Sequence, residues 1–359
     1  MAWVRPVAFV APAVGATSLA LKARYSTPEQ HSSFLAMWCL GPMECVKTIP
    51  WRLQIFWRLR LVHRHIQTLS AEELALQWRP KPHDVVVAVP AKSGTTMLLQ
   101  AAHQLRMAGA WGHDVDFEDQ MDVIPMLEGG PGSLLPTNRI NQEQLAEPRI
   151  YKSHLKCKAF DRLKVKRVYC FRDLKDVLVS DWRFTASILE SPVPLETFAV
   201  MRVVPGGVDR ALKDLCDWWE HRHESDVCFL FFEDVLEDRV AAVERLQGLM
   251  ELKKDKELAK LVAEQCSHTF MSENHRKFDD HKIIEALDRL TGVSRASALV
   301  GKVRKDGGKS GEGAALPLPV KEWLDWRWEC IVHKRLGFKS LVDMRAAWAA
   351  ECRQHGGIS

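Results

Sequence analysis

Residues 85–106 constrain this chain most. Val85–Val89 is an unbroken apolar run that stops at Pro90, and Met97–Arg106 has a helical pattern. Between them lies a six-residue turn, Ala91-Lys92-Ser93-Gly94-Thr95-Thr96. A fully apolar strand suits a parallel sheet covered on both faces. A turn rich in hydroxyls and backbone N–H groups, with one cation, suits an anion at a helix N-terminus. The turn departs from the nucleoside-triphosphate loop G-x-x-x-x-G-K-[ST], because Ala91 precedes the lysine and Val86 stands where the first glycine belongs. A P-loop-like phosphate-binding turn of another kind is the reading.

The same alternation continues along the chain. Pro148–His154, Val165–Phe171 and Val227–Phe232 read as strands. Helices are expected from Asp173 to about Phe184, over Arg210–His223, Val240–Met250 and Lys256–Gln265. Strands alternating with helices predict an α/β fold with a mostly parallel central sheet and helices on both faces. Ligands in such folds bind beyond the carboxyl ends of the strands, which here means the loops after Val89, Lys152 and Phe171. Ser191–Pro205 reads as an irregular, proline-containing insertion, and Ala296–Leu316, rich in glycine and lysine, as a long mobile lid.

The outer segments divide as follows. Residues 1–33 read as a disordered or targeting segment, 34–79 as a helical N-terminal extension, 80–345 as the catalytic domain and 346–359 as a C-terminal tail. Ser70 with Glu73 forms a capping-box pattern before Ala71–Trp78. Residues 1–28 contain no acid, and Val7–Leu21 is mostly apolar. That run is shorter than the ~20 residues of a membrane span, so it suits a transit peptide or a weak anchor. A cytoplasmic location and one targeted or anchored through residues 1–25 both stay open, and so does membrane association. Nine cysteines without a C-x-x-C pair point to free thiols in a reducing compartment and to no metal. Cys157, near the strand ends, is either filler or reactive. A net charge of +4 gives no basis for a nucleic-acid partner. The 13 tryptophans read as core packing in preference to a substrate wall. Asp114, Asp116, Glu118, Asp119 and Asp122 form an acidic stretch, either a solvated surface or an attraction for a basic acceptor.

Four segments in order carry a family resemblance. Pro90-Ala-Lys-Ser-Gly-Thr-Thr96 is similar to the 5′-phosphosulfate loop of the cytosolic-type sulfotransferases. Arg149-Ile-Tyr-Lys-Ser-His-Leu155 resembles that family's K-[TS]-H-L strand end. Arg172-Asp-Leu-Lys-Asp-Val-Leu-Val-Ser180 resembles its 3′-phosphate motif. Arg304-Lys-Asp-Gly-Gly-Lys-Ser-Gly311 resembles its R-K-G-x-x-G closing loop. Phe232-Glu-Asp234 is similar to the [YF]-E-D segment between them. The resemblance covers roughly residues 80–335.

It implies 3′-phosphoadenosine 5′-phosphosulfate (PAPS) as donor, no metal, and a small-molecule hydroxyl or amine as acceptor. By that resemblance His154 is the general base, Lys92 stabilises the leaving phosphate and Lys152 adds charge around the moving sulfonate. Lys92, Ser93, Gly94, Thr95 and Thr96 hold the 5′-phosphosulfate. Arg172, Ser180, Arg304, Lys305 and Gly307 hold the 3′-phosphate. Met97, Phe232 and either His268 or Phe270 flank the adenine. Two positions depart from the family: Met97 stands where it has Trp, and Asp306 interrupts R-K-G. Asp176 is expected to orient neighbours. Phe117, Met121, Met126, Phe184 and Met201 are candidates for an apolar acceptor wall. A non-catalytic nucleotide-binding module and a membrane-anchored glycan or lipid sulfotransferase are the competing readings. The oligomeric state is open.

Overall fold

The computed structural model describes residues 71–107, 117–129, 140–189, 193–203, 207–291, 302–303 and 307–354. The expected targeting segment, the N-terminal helices before residue 71, and Arg304, Lys305 and Asp306 lie outside these residues. The helix α1 (Ala71–Gln77) is the described end of the N-terminal extension.

Four parallel strands form the sheet, in the order β2-β1-β3-β4. They are β1 (Val85–Ala88), β2 (Ile150–Ser153), β3 (Lys166–Phe171) and β4 (Val227–Phe231). Val85 pairs with Ile150 on one side and with Lys166 on the other, and Arg167 pairs with Val227. Successive side chains alternate between faces. Val86, Tyr151, Tyr169, Phe171, Phe229 and Phe231 join one apolar cluster. Val85, Val87, Ile150, Val168, Cys170 and Leu230 join the other. Helices cover both clusters, so β1 and β4 are apolar throughout, while β2 ends in Lys152 and Ser153 and β3 begins with Lys166 and Arg167.

The first cluster takes up most of the described tryptophans. Trp218, Trp219, Trp328 and Trp348 are all buried in it, and Tyr169 stacks on Trp218 with ring centroids 4.9 Å apart. Trp348 lies on the last described helix, Leu341–Gln354, so the segment expected to be a tail from residue 346 is helical as far as Gln354 and packs on the core through Trp348 and Cys352. The stretch expected to be irregular contains a helix, Leu195–Val203. Pro194 directly precedes it, where a missing N–H does no harm, and the Pro194 carbonyl accepts from the Phe198 N–H. The acidic stretch contributes a short helix, Gln120–Val123, closed by a reciprocal capping box between Asp119 and Asp122. Glu118 and Asp122 also pair with Lys282, so this acidity serves the local fold. Among the described residues no helix is long and apolar enough to cross a membrane, and all seven cysteines are free.

Arg149 acts as a strand latch. Its Nε and Nη2 donate to the two carboxylate oxygens of Asp84 at 2.8 and 2.6 Å, with both residues buried. The pair fixes the starts of β1 and β2 and thus the register that places Lys152 beside Val87. Asp84→Ala should cost about 3–5 kcal/mol, because it strands a buried guanidinium. Urea unfolding would show this as a lower midpoint.

Candidate functional site

The chain runs from β1 to β2 on one side, then crosses back to β3 and β4 on the other. The loops after β1 and β3 therefore diverge at the centre of the sheet and open a crevice. The loop after β1 is the phosphate turn. Lys92 has a left-handed backbone with φ 68°, and Gly94 follows at φ 92°. These two kinks turn the chain into α2 (Thr95–Arg106), whose N-terminus has no side-chain cap. Its first N–H groups are thus presented to the crevice. A Cβ on Gly94 would lie 2.8 Å from Phe232 Cδ2, so only glycine fits the turn against that ring.

The loop after β3 begins α3 (Leu174–Leu189) and supplies Arg172. Its Nη1 donates to the Lys92 carbonyl at 3.2 Å and its Nη2 to the Lys309 carbonyl at 2.9 Å. Its guanidinium also lies over the Phe232 ring, 4.5 Å from the centroid. One arginine thereby ties the phosphate turn to the closing loop. Asp176 completes the tie, accepting the N–H groups of Gly311 and Gly313 at 2.8 and 2.6 Å. The lid expected over 296–316 is anchored at this end. Two buried polar atoms on the crevice wall have no protein partner, Arg172 Nε and Thr95 Oγ1. Buried polar groups are rarely left so, and a guanidinium with a hydroxyl at a helix start suits an anion.

A cavity of about 270 Å³ occupies the crevice. Its lining includes Lys92, Gly94, Thr95, Thr96, Met97, Lys152, His154, Arg172, Ser180, Phe232, His268 and Gly307. Ser93 is buried beneath the turn and does not line it. Of the two adenine-side candidates, His268 lines the cavity, with Gly308 pressed against its ring. Phe270 packs instead with Phe117, Met271 and Phe278. Among the described side chains, Phe184 is the one acceptor-wall candidate on the lining. Phe117 and Met121 are core residues, Met126 bridges to Lys152 through backbone, and the Met201 side chain lies outside the described residues.

The far end holds His154 and Lys152. The His154 Nδ1 is 2.7 Å from the Val89 carbonyl. A carbonyl only accepts, so Nδ1 carries the proton and Nε2 keeps its lone pair. Burial, then repulsion from Lys152, lowers the imidazole pKa to about 4. Glu128 anchors the backbone here, accepting from the His154 N–H and, at 3.1 Å, from Ser153 Oγ. Burial lowers Lys152 to about 8, helped by Lys302 and opposed by Asp280 and Glu128. Cys157 is buried, and its thiol is pushed up to about 12 by burial, which makes it inert filler.

Several wall residues carried no local signal. Arg183 lies three residues beyond Ser180 on α3, the spacing of one helix face. It pairs with Glu312, which also sits 4.0 Å from Arg172. Asp280 and Lys302 come from separate segments that only the folded chain brings together.

A sulfotransferase domain profile matches residues 82–296, more than half of the chain. The chain belongs to the sulfotransferase family. Sulfotransferase 1B1 of Canis lupus familiaris is 30% identical over 213 residues, covering 55% of this chain and 69% of that protein. Sulfotransferase 1E1 of Mus musculus is 32% identical over 208 residues, covering 54% and 68%. Among solved structures, a retinol dehydratase in complex with androsterone and inactive cofactor PAP is similar, with a TM-score of 0.55. That match covers 72% of this chain and 82% of that one at 18% identity. Mouse sulfotransferase SULT7A1 complexed with PAP gives 0.53, covering 79% and 95% at 16% identity. These structures establish the likeness of fold. The family is one of sulfuryl-transfer enzymes, and the four-strand parallel sheet accords with it.

Proposed function

We propose that this chain transfers a sulfuryl group from PAPS to a hydroxyl or amine of a small molecule. His154 serves as general base and Lys92 stabilises the leaving phosphate. The observation that carries this reading is the single cavity whose lining includes Lys92, Lys152, His154, Arg172 and Ser180. When bound, PAPS supplies the activated sulfuryl group. The α2 N-terminus and Thr95 hold the 5′-phosphosulfate. Arg172 and Ser180 hold the 3′-phosphate, and Phe232, Met97 and His268 flank the base, with methionine a workable partner for an aromatic face. The unpartnered Arg172 Nε and Thr95 Oγ1 support the fit. Catalysis in such a transfer comes mainly from positioning and charge stabilisation. His154 Nε2 takes the acceptor's proton as its oxygen or nitrogen attacks. The Lys92 ammonium meets the negative charge that gathers on the departing phosphate, and Lys152 steadies the sulfonate oxygens.

The test is incubation with isotopically labelled PAPS and a panel of phenols, steroid alcohols, retinoids and amines, followed by mass spectrometry. Label in a sulfated product supports the reading. Nucleotide binding without turnover on any acceptor would leave a binding module instead.

The closing loop gives a second measurable outcome. A Cβ on Gly308, itself at φ 74°, would lie 2.3 Å from His268 Cδ2. Gly308→Ala should add about 1–3 kcal/mol of strain to the closed loop. Titration calorimetry with 3′,5′-ADP should then show Kd raised roughly 10- to 100-fold.

A further inference from the structure

Three charged groups meet beside His154, and two belong to no motif. Lys302 Nζ donates to Asp280 Oδ2, and Lys152 Nζ stands 4.0 Å from the same oxygen. All three line the cavity with His154. Their side chains are mostly buried, at 12% exposed for Lys152, 14% for Lys302 and 21% for Asp280. Two ammonium groups in one enclosed space repel strongly, and one carboxylate lies between them.

Backbone geometry around the cluster is tightly set. Lys152 is held on one side by Val87 of β1. On the other, its N–H donates to the Pro125 carbonyl at 3.0 Å, and its carbonyl accepts from the Leu127 N–H at 2.9 Å. Asp280 adopts a left-handed backbone with φ 57°. Few non-glycine residues take that conformation, aspartate among them. Here it directs the carboxylate between the two lysines.

We propose that Asp280 and Lys302 form a positioning couple that holds the Lys152 ammonium in place and governs its charge at the transfer end of the cavity. Asp280 attracts Lys152 and favours its protonated form. Lys302 occupies the other side of the carboxylate and opposes Lys152, so the pair acts as a balance. The other charged groups facing Lys152 are Glu128, which favours the ammonium, and His154, neutral at working pH. Asp280 is itself held down at about 2: burial would raise it, but Lys302 and Lys152 outweigh burial. It therefore stays ionised through the working range. Neither residue need touch the reacting atoms. The inference rests on the reading of Lys152 given above.

The two partners should act in opposite directions. Asp280→Asn removes the attraction, so Lys152 should lose its proton at lower pH. Lys302→Gln removes the repulsion, so Lys152 should keep its proton to higher pH. Each shift should be about one pH unit, and the double variant should return close to wild type. The measurement is NMR titration of ¹³C-lysine-labelled protein, with the Lys152 signal assigned by its loss in Lys152→Arg. The alkaline limb of kcat/KM for the donor, which reports the free enzyme, is followed in parallel. Opposite displacements in the two variants support the couple. A Lys152 midpoint unmoved in Lys302→Gln overturns it, even if Asp280→Asn fails to fold. NMR displacements with no turnover on any acceptor would support the couple while sinking the assigned reaction, so the two failures are separable. Uniform loss of kcat/KM at every pH, with the midpoint fixed, would reduce both residues to structural roles.

Discussion

His154→Ala should lower kcat by about 10²- to 10⁴-fold and leave the Kd for 3′,5′-ADP essentially unchanged. The asymmetry follows from placement. The imidazole stands at the carboxyl end of β2, its Nδ1 engaged by the Val89 carbonyl, and belongs to neither the phosphate turn nor the α2 N-terminus that would hold the nucleotide. Removing it deletes a proton acceptor and little binding. Its acid limb should also be unusual. Burial and Lys152 keep the free imidazole neutral down to about 4. In the free enzyme, kcat/KM for the donor should therefore show no histidine limb above about pH 5. A bound polyanion favours the imidazolium, so the same limb in kcat should lie at higher pH. An acid limb near pH ~6.5, the ordinary histidine value, in kcat/KM for the donor, lost in His154→Gln, would contradict this account of the burial. Equal loss of nucleotide affinity and kcat would show that the residue only shapes the pocket.

What could be read in the sequence was whatever a short contiguous segment encodes. The phosphate turn is legible because Lys92, Gly94 and Thr95 are neighbours in a chain that must turn sharply between an apolar strand and a helix. His154 and Arg172 each follow directly on a strand, and their roles come from the family resemblance of the short segments that contain them. Strand limits read within two residues at each end because burial on both faces makes β1, β4 and the later part of β3 runs of apolar residues. The helix at Leu195–Val203 was hidden by its prolines, which stop a pattern when read inside a helix but start one when they stand before it. The C-terminal helix does have a pattern, since Leu341, Met344, Trp348 and Cys352 recur at helical spacing, but the packing of Trp348 on Trp219 and Phe229 far along the chain has no local sign. Asp280 and Lys302 were invisible on other grounds. Their meaning lies in Lys152, 128 and 150 positions away, and no local spacing encodes that meeting. Ser93 is buried and does not line the cavity, which its place in the turn does not reveal.

Lys92→Met should lower kcat by about 10²- to 10³-fold, the scale for removing one preorganised charge stabiliser, with a smaller effect on donor affinity. The ammonium lies over the Phe184 ring, 4.1 Å from its centroid. Such a contact is worth about 0.5–2 kcal/mol, far less than the interaction with a phosphate gaining charge in a water-poor site. On the proposed reading, Phe184 would hold the lysine within the cavity and yield it as the bridging oxygen departs. Lys92→Arg should fail to restore the rate. The left-handed backbone at residue 92 fixes where the side chain starts, and a planar guanidinium cannot reach the same point from there with the same donor geometry. Phe184→Leu separates the two parts of the argument. It keeps the ammonium but removes its resting place, so KM for an aromatic or apolar acceptor should rise while kcat at saturation changes little. Single-turnover kinetics with saturating donor would distinguish the two variants. If Lys92→Met raised only KM for the donor and spared kcat, the ammonium would be a ground-state anchor. Charge stabilisation in the transition state would then fall to the backbone N–H groups at the start of α2 and to Lys152.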